Sequence, residues 1–340
     1  MKILFIGGSG IISQAASACA VEHGADLWLL NRGHHAVPAG AKTLVADLTD
    51  AAATRAALAG HDWDVVVQWI AFTPPDLERD IELFRGRTRQ YLFISSASAY
   101  QKPVAHYRVT ESTPLINPYW EYSRSKIACE TVLQRAFESE GFPGTIVRPS
   151  LTYGDNQVPL VLNSWRQSWT AVDRMRRGLP LIIPGDGTSL WTITHNTDFA
   201  RGLIGLLGNP AAIGQAFHIT TDEVLTWNQY FALTAEAAGV SVPKFIHIAS
   251  DYLTACLPST TGTLLGDKAV SVVFDNTKIK QFVPGFTARM TFQAGIRRTI
   301  AWFDAVAERR QVDPALNATW DQLIAGYERG LQAARNDFAP

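Results

Sequence analysis

"KILFIGGSGIIS", residues 2 to 13, sets Gly7, Gly8 and Gly10 between a continuous apolar run and a segment with helical spacing. An apolar run without alternation is the pattern of a strand buried on both faces. Glycines after it permit a tight turn and a close approach of backbone to pyrophosphate, whose charge the next helix's amino end stabilises. Ser13 holds the place of a third fingerprint glycine and is small enough for the helix to pack on the strand. Strand, glycine turn and helix, in that order at the first strand, are the opening of a dinucleotide-binding unit. Gly7, Ser9, Gly10, Ile11 and Ile12 are its candidate pyrophosphate contacts.

Outward from that stretch the pattern repeats. Apolar runs at 27–31, 43–46, 64–70, 90–95 and 145–148 read as further buried strands. Segments near 11–24, 50–60, 76–86 and 119–141 carry helical periodicity between them. Alternation of this kind predicts parallel strands joined by right-handed crossovers, a doubly wound α/β sheet. Beyond Pro149 the rhythm breaks: 151–190 is rich in Trp, Arg, Pro and Gly, 195–207 reads as helix and 216–219 as strand. Helices dominate from about 221, ending in a polar helical tail at 315–336. The expected organisation is a nucleotide-binding domain over 1–150 plus about 190–220. A smaller, mostly helical lobe takes about 151–189 and 221–340.

The second strand ends in Asn31-Arg32, where a carboxylate normally takes the adenosine ribose hydroxyls. An arginine there accommodates a 2′-phosphate, which favours NADP over NAD, although a solvated loop arginine explains Arg32 nearly as well. Asp47 and Leu48 follow the third strand; Asp47 could meet the adenine edge or cap the next helix. Ile70 and Ala71, closing the fourth strand, and Pro149, after the sixth, complete the candidate cofactor contacts.

"NPYWEYSRSKIACE", residues 117 to 130, places Tyr122 and Lys126 one helical turn apart. An exposed Tyr–Lys pair on a helix is commonplace. Here, however, the fifth strand ends in "LFISSASAY", offering Ser95, Ser96 and Ser98 at the carboxyl edge of the sheet, where ligands of open α/β sheets sit. Hydroxyl, phenol and ammonium converge there. With the glycine loop, this constellation resembles the extended branch of the short-chain dehydrogenase/reductases, the NAD-dependent epimerase/dehydratase family. "ADL", "DVVVQWIA", "ISSASAY", "YSRSK", "RPSLTYG" and "GDGTSLWTITHNTDFARG" follow in that family's order over roughly 1–220.

The resemblance implies Tyr122 as general acid/base, Lys126 lowering its pKa and holding the nicotinamide ribose, and Ser96 hydrogen-bonding the reacting oxygen. It also implies a homodimer paired through the helices near 76–86 and 119–141. Two departures narrow the reaction. Dehydratases of the family follow the catalytic Ser/Thr with Asp-Glu, whereas this chain has Ala97 and Ser98. Nucleotide-sugar members carry a diphosphate-binding arginine where this chain has Trp191, and a second where "TGTLLGDK" offers only Lys268. A pyrophosphate site without guanidinium loses its bidentate contacts. The expected substrate is therefore a small sugar-like polyol or ketone, with Ser98, Trp120, Trp191 and His195 as candidate contacts. Indole faces suit a sugar's C–H face, and about two of Trp69, Trp120, Trp165, Trp169 and Trp191 are expected at ligand.

A formal charge of −1 gives no general attraction to nucleic acid or anionic membrane. Arg174, Arg176 and Arg177 form only a short basic patch. No apolar run is long enough for a membrane span, and Cys19, Cys129 and Cys256 make no disulfide framework, so a reducing cytoplasm is expected. The adjacent His34-His35 pair is a poor chelator by itself, and no metal is assigned. Two rivals stay open: a nucleotide-sugar epimerase, and a non-catalytic NAD(P)-sensing or RNA-binding member of the same fold.

Overall fold

In a computed structural model that describes residues 1–34 and 37–338, the alternating half of the chain builds one seven-stranded sheet. Its strands are β1 (Lys2–Ile6), β2 (Asp26–Asn31), β3 (Lys42–Val45), β4 (Trp63–Gln68), β5 (Thr88–Ile94), β6 (Gly144–Pro149) and β7 (Ala216–Ile219). They lie in the order β7-β6-β5-β4-β1-β2-β3, and every neighbouring pair is parallel. The order reverses between β1 and β4, which opens a crevice above the strands' carboxyl ends.

Side chains alternate across the sheet and both faces are covered. Ile3, Phe5, Leu29, Val65 and Val67 pack on one side beneath α1 (Ile11–Glu22) and α5 (Asn196–Leu206). Leu4, Ile6, Leu30, Val66 and Phe93 pack on the other, beneath α2 (Ala51–Leu58), α3 (Pro74–Phe84) and α4 (Glu121–Glu140). That double burial is why the strands read as unbroken apolar runs. The buried face of α1 is Ser13, Ala16, Ser17, Cys19 and Ala20, all small, which lets the helix sit close behind the glycine turn.

A separate, aromatic core fills the remainder: Trp169, Trp191, Trp227, Tyr230, Phe292, Phe303 and Trp320 are its large members. It is built by α6 (Trp227–Ala237), α7 (Phe292–Asp304) and α8 (Pro314–Asp337). Short strand pairs stitch this region: Leu181–Pro184 with Phe245–Ile248, Leu151–Tyr153 with Ile193–His195, and Leu190–Trp191 with Leu225–Thr226. Pairs of two to four residues are too short to show a period, so the sequence did not announce them. No helix among the described residues is long and apolar enough to cross a membrane. Among the described residues no three His, Cys, Asp or Glu side chains cluster as metal ligands; His35 lies outside the described residues.

Candidate functional site

The glycine turn is dictated by backbone. Gly7 and Gly8 have φ of 95° and 96°, in the left-handed region. A Cβ on Gly8 would stand 2.7 Å from Leu29 Cδ2, and one on Gly7 3.0 Å from Ile70 Cγ2. Gly10 is different: its φ is −81°, and a Cβ would meet only Ser13 Oγ, at 3.5 Å. Nothing in the chain demands glycine at position 10, whereas a ligand approaching the amino end of α1 would. Ser13 Oγ accepts the Gly10 amide at 2.8 Å, and Asn196 Nδ2 donates to the Ile11 carbonyl at 2.7 Å, fixing the turn to α5.

Beside this turn a cleft of about 620 Å³ runs over the ends of β1, β2 and β3. Gly7, Ser9, Gly10, Asn31, Arg32, Asp47, Leu48 and Ile70 line it, as the sequence led one to expect. Ala46, Thr49, Asp76 and Arg79 line it too; Asp76 and Arg79 come from the charged run of α3, which carries no fingerprint. Ile11, Ile12, Ala71 and Pro149 are not in its wall. Asn31 Oδ1 accepts the Gly33 amide at 2.7 Å, while its Nδ2 is buried with no partner, a donor left over for a ligand. Hydrogen bonds from Thr49 amide and hydroxyl hold Asp47 below the usual carboxylate range, and Arg32 adds to the effect. The glycine turn, the orphaned Asn31 donor and Arg32 together fit a dinucleotide.

At the carboxyl edge of β5 the hydroxyls form a line. Ser123 Oγ donates to Ser98 Oγ at 2.7 Å, and Ser98 Oγ lies 2.9 Å from Ser96 Oγ. Either hydroxyl of that pair can donate, and Ser96 Oγ also accepts the Ser98 amide at 3.2 Å. Ser96 in turn hydrogen-bonds Tyr122. The Tyr122 phenol is raised on balance: burial pushes it up, the Ser96 hydrogen bond pulls it down, and the Asp267 carboxylate pushes it up. Lys126, expected to lower it, is not among the groups that act on it, because its ammonium is engaged by backbone carbonyls. Ser98, expected against substrate, is buried in this line. Ser95 turns the other way, donating at 2.5 Å to Glu130, which is paired with Arg148 at 2.6 Å.

Lys126 Nζ is tied to the Ala71 and Ile94 carbonyls at 2.7 and 2.9 Å. It stands 5.9 Å from the Tyr122 ring centre and makes no contact with the phenol oxygen. Burial lowers its pKa to about 8. The structure thus brings Ser96, Tyr122 and Lys126 to one edge, with Lys126 held by the ends of two strand connections rather than by the phenol.

On the other side of Tyr122 the Trp120 ring lies 5.0 Å away. Trp191 is buried, stacks on Trp227 at 6.2 Å, and has an Nε1 without a partner. His195 is drawn elsewhere: its Nε2 is 3.2 Å from Asp155, which pairs with Arg298. Trp69 packs on Phe5 and Phe199, Trp169 packs on Phe303, and Trp165 is exposed. Of the five, Trp120 packs against Tyr122, and Trp191 lies within the aromatic core with Lys102 and Lys268 near its ring. Sequence reasoning did not single out Lys102, whose Nζ lies 5.7 Å from the Trp191 ring.

Comparison with known proteins bears on the family and the fold. The model of the NAD dependent epimerase/dehydratase family matches residues 3–220. A chloroplast stem-loop binding protein of 41 kDa from Arabidopsis thaliana is 25% identical over 261 residues, 72% of this chain and 65% of that one. The 2′-dehydrokanamycin reductase of Streptomyces kanamyceticus is 24% identical over 253 residues, 72% of this chain and 70% of the reductase. Among solved structures, an epimerase from Methanothermobacter thermautotrophicus superposes with a TM-score of 0.73 at 16% identity, covering 90% of this chain and 93% of its own. A dTDP-glucose 4,6-dehydratase from Streptomyces venezuelae gives 0.72 at 19%, covering 91% and 98%. These two likenesses speak to the fold.

Proposed function

Because the chain belongs to the NAD dependent epimerase/dehydratase family, we propose that it is a nicotinamide-dependent oxidoreductase or epimerase acting on a small sugar-like hydroxyl or ketone. The observation that carries this reading is the hydroxyl line Ser123–Ser98–Ser96 ending at Tyr122.

A nicotinamide bound in the cleft would accept or supply hydride at the substrate carbon. Tyr122 takes the proton from the substrate hydroxyl in one direction and returns it in the other. Ser96 donates to the oxygen that carries negative charge, whether phenolate or substrate. Lys126 holds its ammonium at the sheet edge, where the ribose hydroxyls of the nicotinamide half would meet it. Arg32 at the tip of β2 supports NADP over NAD. Ala97 and Ser98 leave no acid pair to expel water, so the chemistry ends with oxidation, reduction or inversion.

For the substrate, Trp191 fills the slot of a diphosphate arginine, Arg148 is committed to Glu130, and Arg201 is committed to Asp198. A nucleotide diphosphate would lack a free guanidinium from these positions. The protein is further proposed to work as a homodimer through α3 and α4, whose exposed positions Glu78, Glu82, Arg124, Thr131 and Arg135 make that contact a polar one. The stem-loop binding relative favours a second reading, RNA binding without turnover. Tyr122→Phe separates the two. On the enzyme reading it lowers turnover roughly 10²–10⁴-fold and leaves cofactor affinity intact; on the RNA reading it changes neither.

A further inference from the structure

Three charged side chains meet on the substrate side of Tyr122. Lys268 pairs with Asp267 at 2.5 Å, and its Nζ lies 5.9 Å from the Trp120 ring and 5.8 Å from the Trp191 ring. Lys102, 3% exposed, approaches the same Trp191 ring and has no side-chain hydrogen bond or ion pair among the described residues. Asp267 and Lys268 are the charges that act on Lys102, and Asp267 is the one that acts on Tyr122. Lys268 reaches the Trp120 ring, and that ring lies 5.0 Å from the Tyr122 ring, so the cluster begins one indole away from the phenol.

Its balance is uneven. Two ammoniums face one carboxylate, and the carboxylate is already engaged by Lys268. A largely buried ammonium with no protein partner keeps little water, and an anion beside it would supply what it lacks. Burial accordingly depresses the Lys102 pKa. The Trp191 indole, near both lysines, adds a second unpartnered donor, its buried Nε1. Lys268 sits at the end of Leu264–Lys268, a π-helical turn of the kind that often re-aims side chains at functional sites.

We propose that Lys102, Lys268 and Trp191 form a subsite for a single negative charge on the substrate, a carboxylate, so that the enzyme acts on a sugar acid. One carboxylate closes the balance of two ammoniums against Asp267. A phosphate monoester, closer to two charges, overshoots it, and a neutral sugar leaves Lys102 unpaired. This rests on the reading of the site as one for a sugar-like substrate, and binding rather than turnover tests it.

The experiment is calorimetric titration of the cofactor-loaded protein with matched sets of aldoses, their aldonic and uronic acids, and their phosphate esters. The same sets are titrated into Lys102→Met and Lys102→Arg. The expected result is an acid bound at least about ten-fold more tightly than its neutral partner, with the preference lost in Lys102→Met and kept in Lys102→Arg. Unchanged NADP affinity in both variants shows that they fold. Binding of neutral sugars alone, a preference for the phosphate esters, an acid preference that Lys102→Met leaves intact, or no acid binding at millimolar concentration would each overturn the proposal. Cofactor binding and Tyr122→Phe turnover are separate readouts, so the hydride-transfer reading can stand or fall without it.

Discussion

Ser98 shows how a buried residue can hold a neighbouring hydroxyl in place. Its hydroxyl accepts from Ser123 and hydrogen-bonds Ser96, so Ser98→Ala should leave Ser96 free to rotate. The expected effect is the loss of about one hydrogen bond, ~1 kcal/mol, which is a several-fold fall in kcat with cofactor affinity unchanged. Steady-state kinetics alongside a cofactor titration check the split. A second residue, His218, has its Nε2 2.7 Å from the Asp275 carbonyl and therefore donates there, while Nδ1 accepts from the Tyr100 hydroxyl at 3.0 Å. Burial pushes its pKa below the ordinary value. The unfolded chain then binds the proton more readily than the folded one, so stability is fully present above the unfolded pKa and is lost as pH falls below it. Lowering pH from about 7.5 to about 5.5 should lower the Tm, and His218→Gln, which keeps a donor and an acceptor without titrating, should flatten that slope.

Among the elements, the turn between β1 and α1 and the pairing of α4 with β6 make opposite demands. Gly8→Ala forces a left-handed φ on alanine and drives its Cβ into Leu29. A destabilisation of about 1–3 kcal/mol, read from denaturant midpoints, is expected together with weaker cofactor binding. Gly10→Ala should instead spare stability and weaken cofactor binding alone, because nothing in the chain crowds that position. Arg148→Met leaves Glu130 buried with only the Ser95 hydroxyl to satisfy it. Removing one partner of such a pair costs about 3–5 kcal/mol, a loss that a thermal or urea melt would register at once.

For the whole molecule, the seven-stranded sheet was legible because both of its faces are buried and each strand is an unbroken apolar run. Much of the cleft at the glycine turn was legible for the same reason: most of the residues lining it sit at the ends of those strands. Asp76 and Arg79 were not, since they lie on the solvent-facing side of an amphipathic, charge-rich helix. Lys102 and Asp267 were harder still. They are far apart in the chain, Lys102 belongs to no motif, and in "TGTLLGDK" only Lys268 beside Asp267 drew attention; the folding of the aromatic lobe over Trp120 and Trp191 brings them together. His195 misled in the opposite way, because its motif position is adjacent to the site but its imidazole turns to Asp155. Light scattering at micromolar concentration checks the assembly: a dimer mass is expected, and a monomer mass would remove the α3–α4 pairing.

The central claim, that Tyr122 is the acid/base of a hydride transfer, is tested most directly by a single-turnover experiment. Protein loaded with one equivalent of NADP is mixed with the sugar and sugar-acid panel, and the near-ultraviolet absorbance of the reduced nicotinamide is followed in wild type and Tyr122→Phe. The account predicts a rise with at least one panel member in wild type and none over the same period in Tyr122→Phe. Equal rises in both proteins, or no reduction in wild type accompanied by salt-sensitive retention of stem-loop RNA, would contradict it.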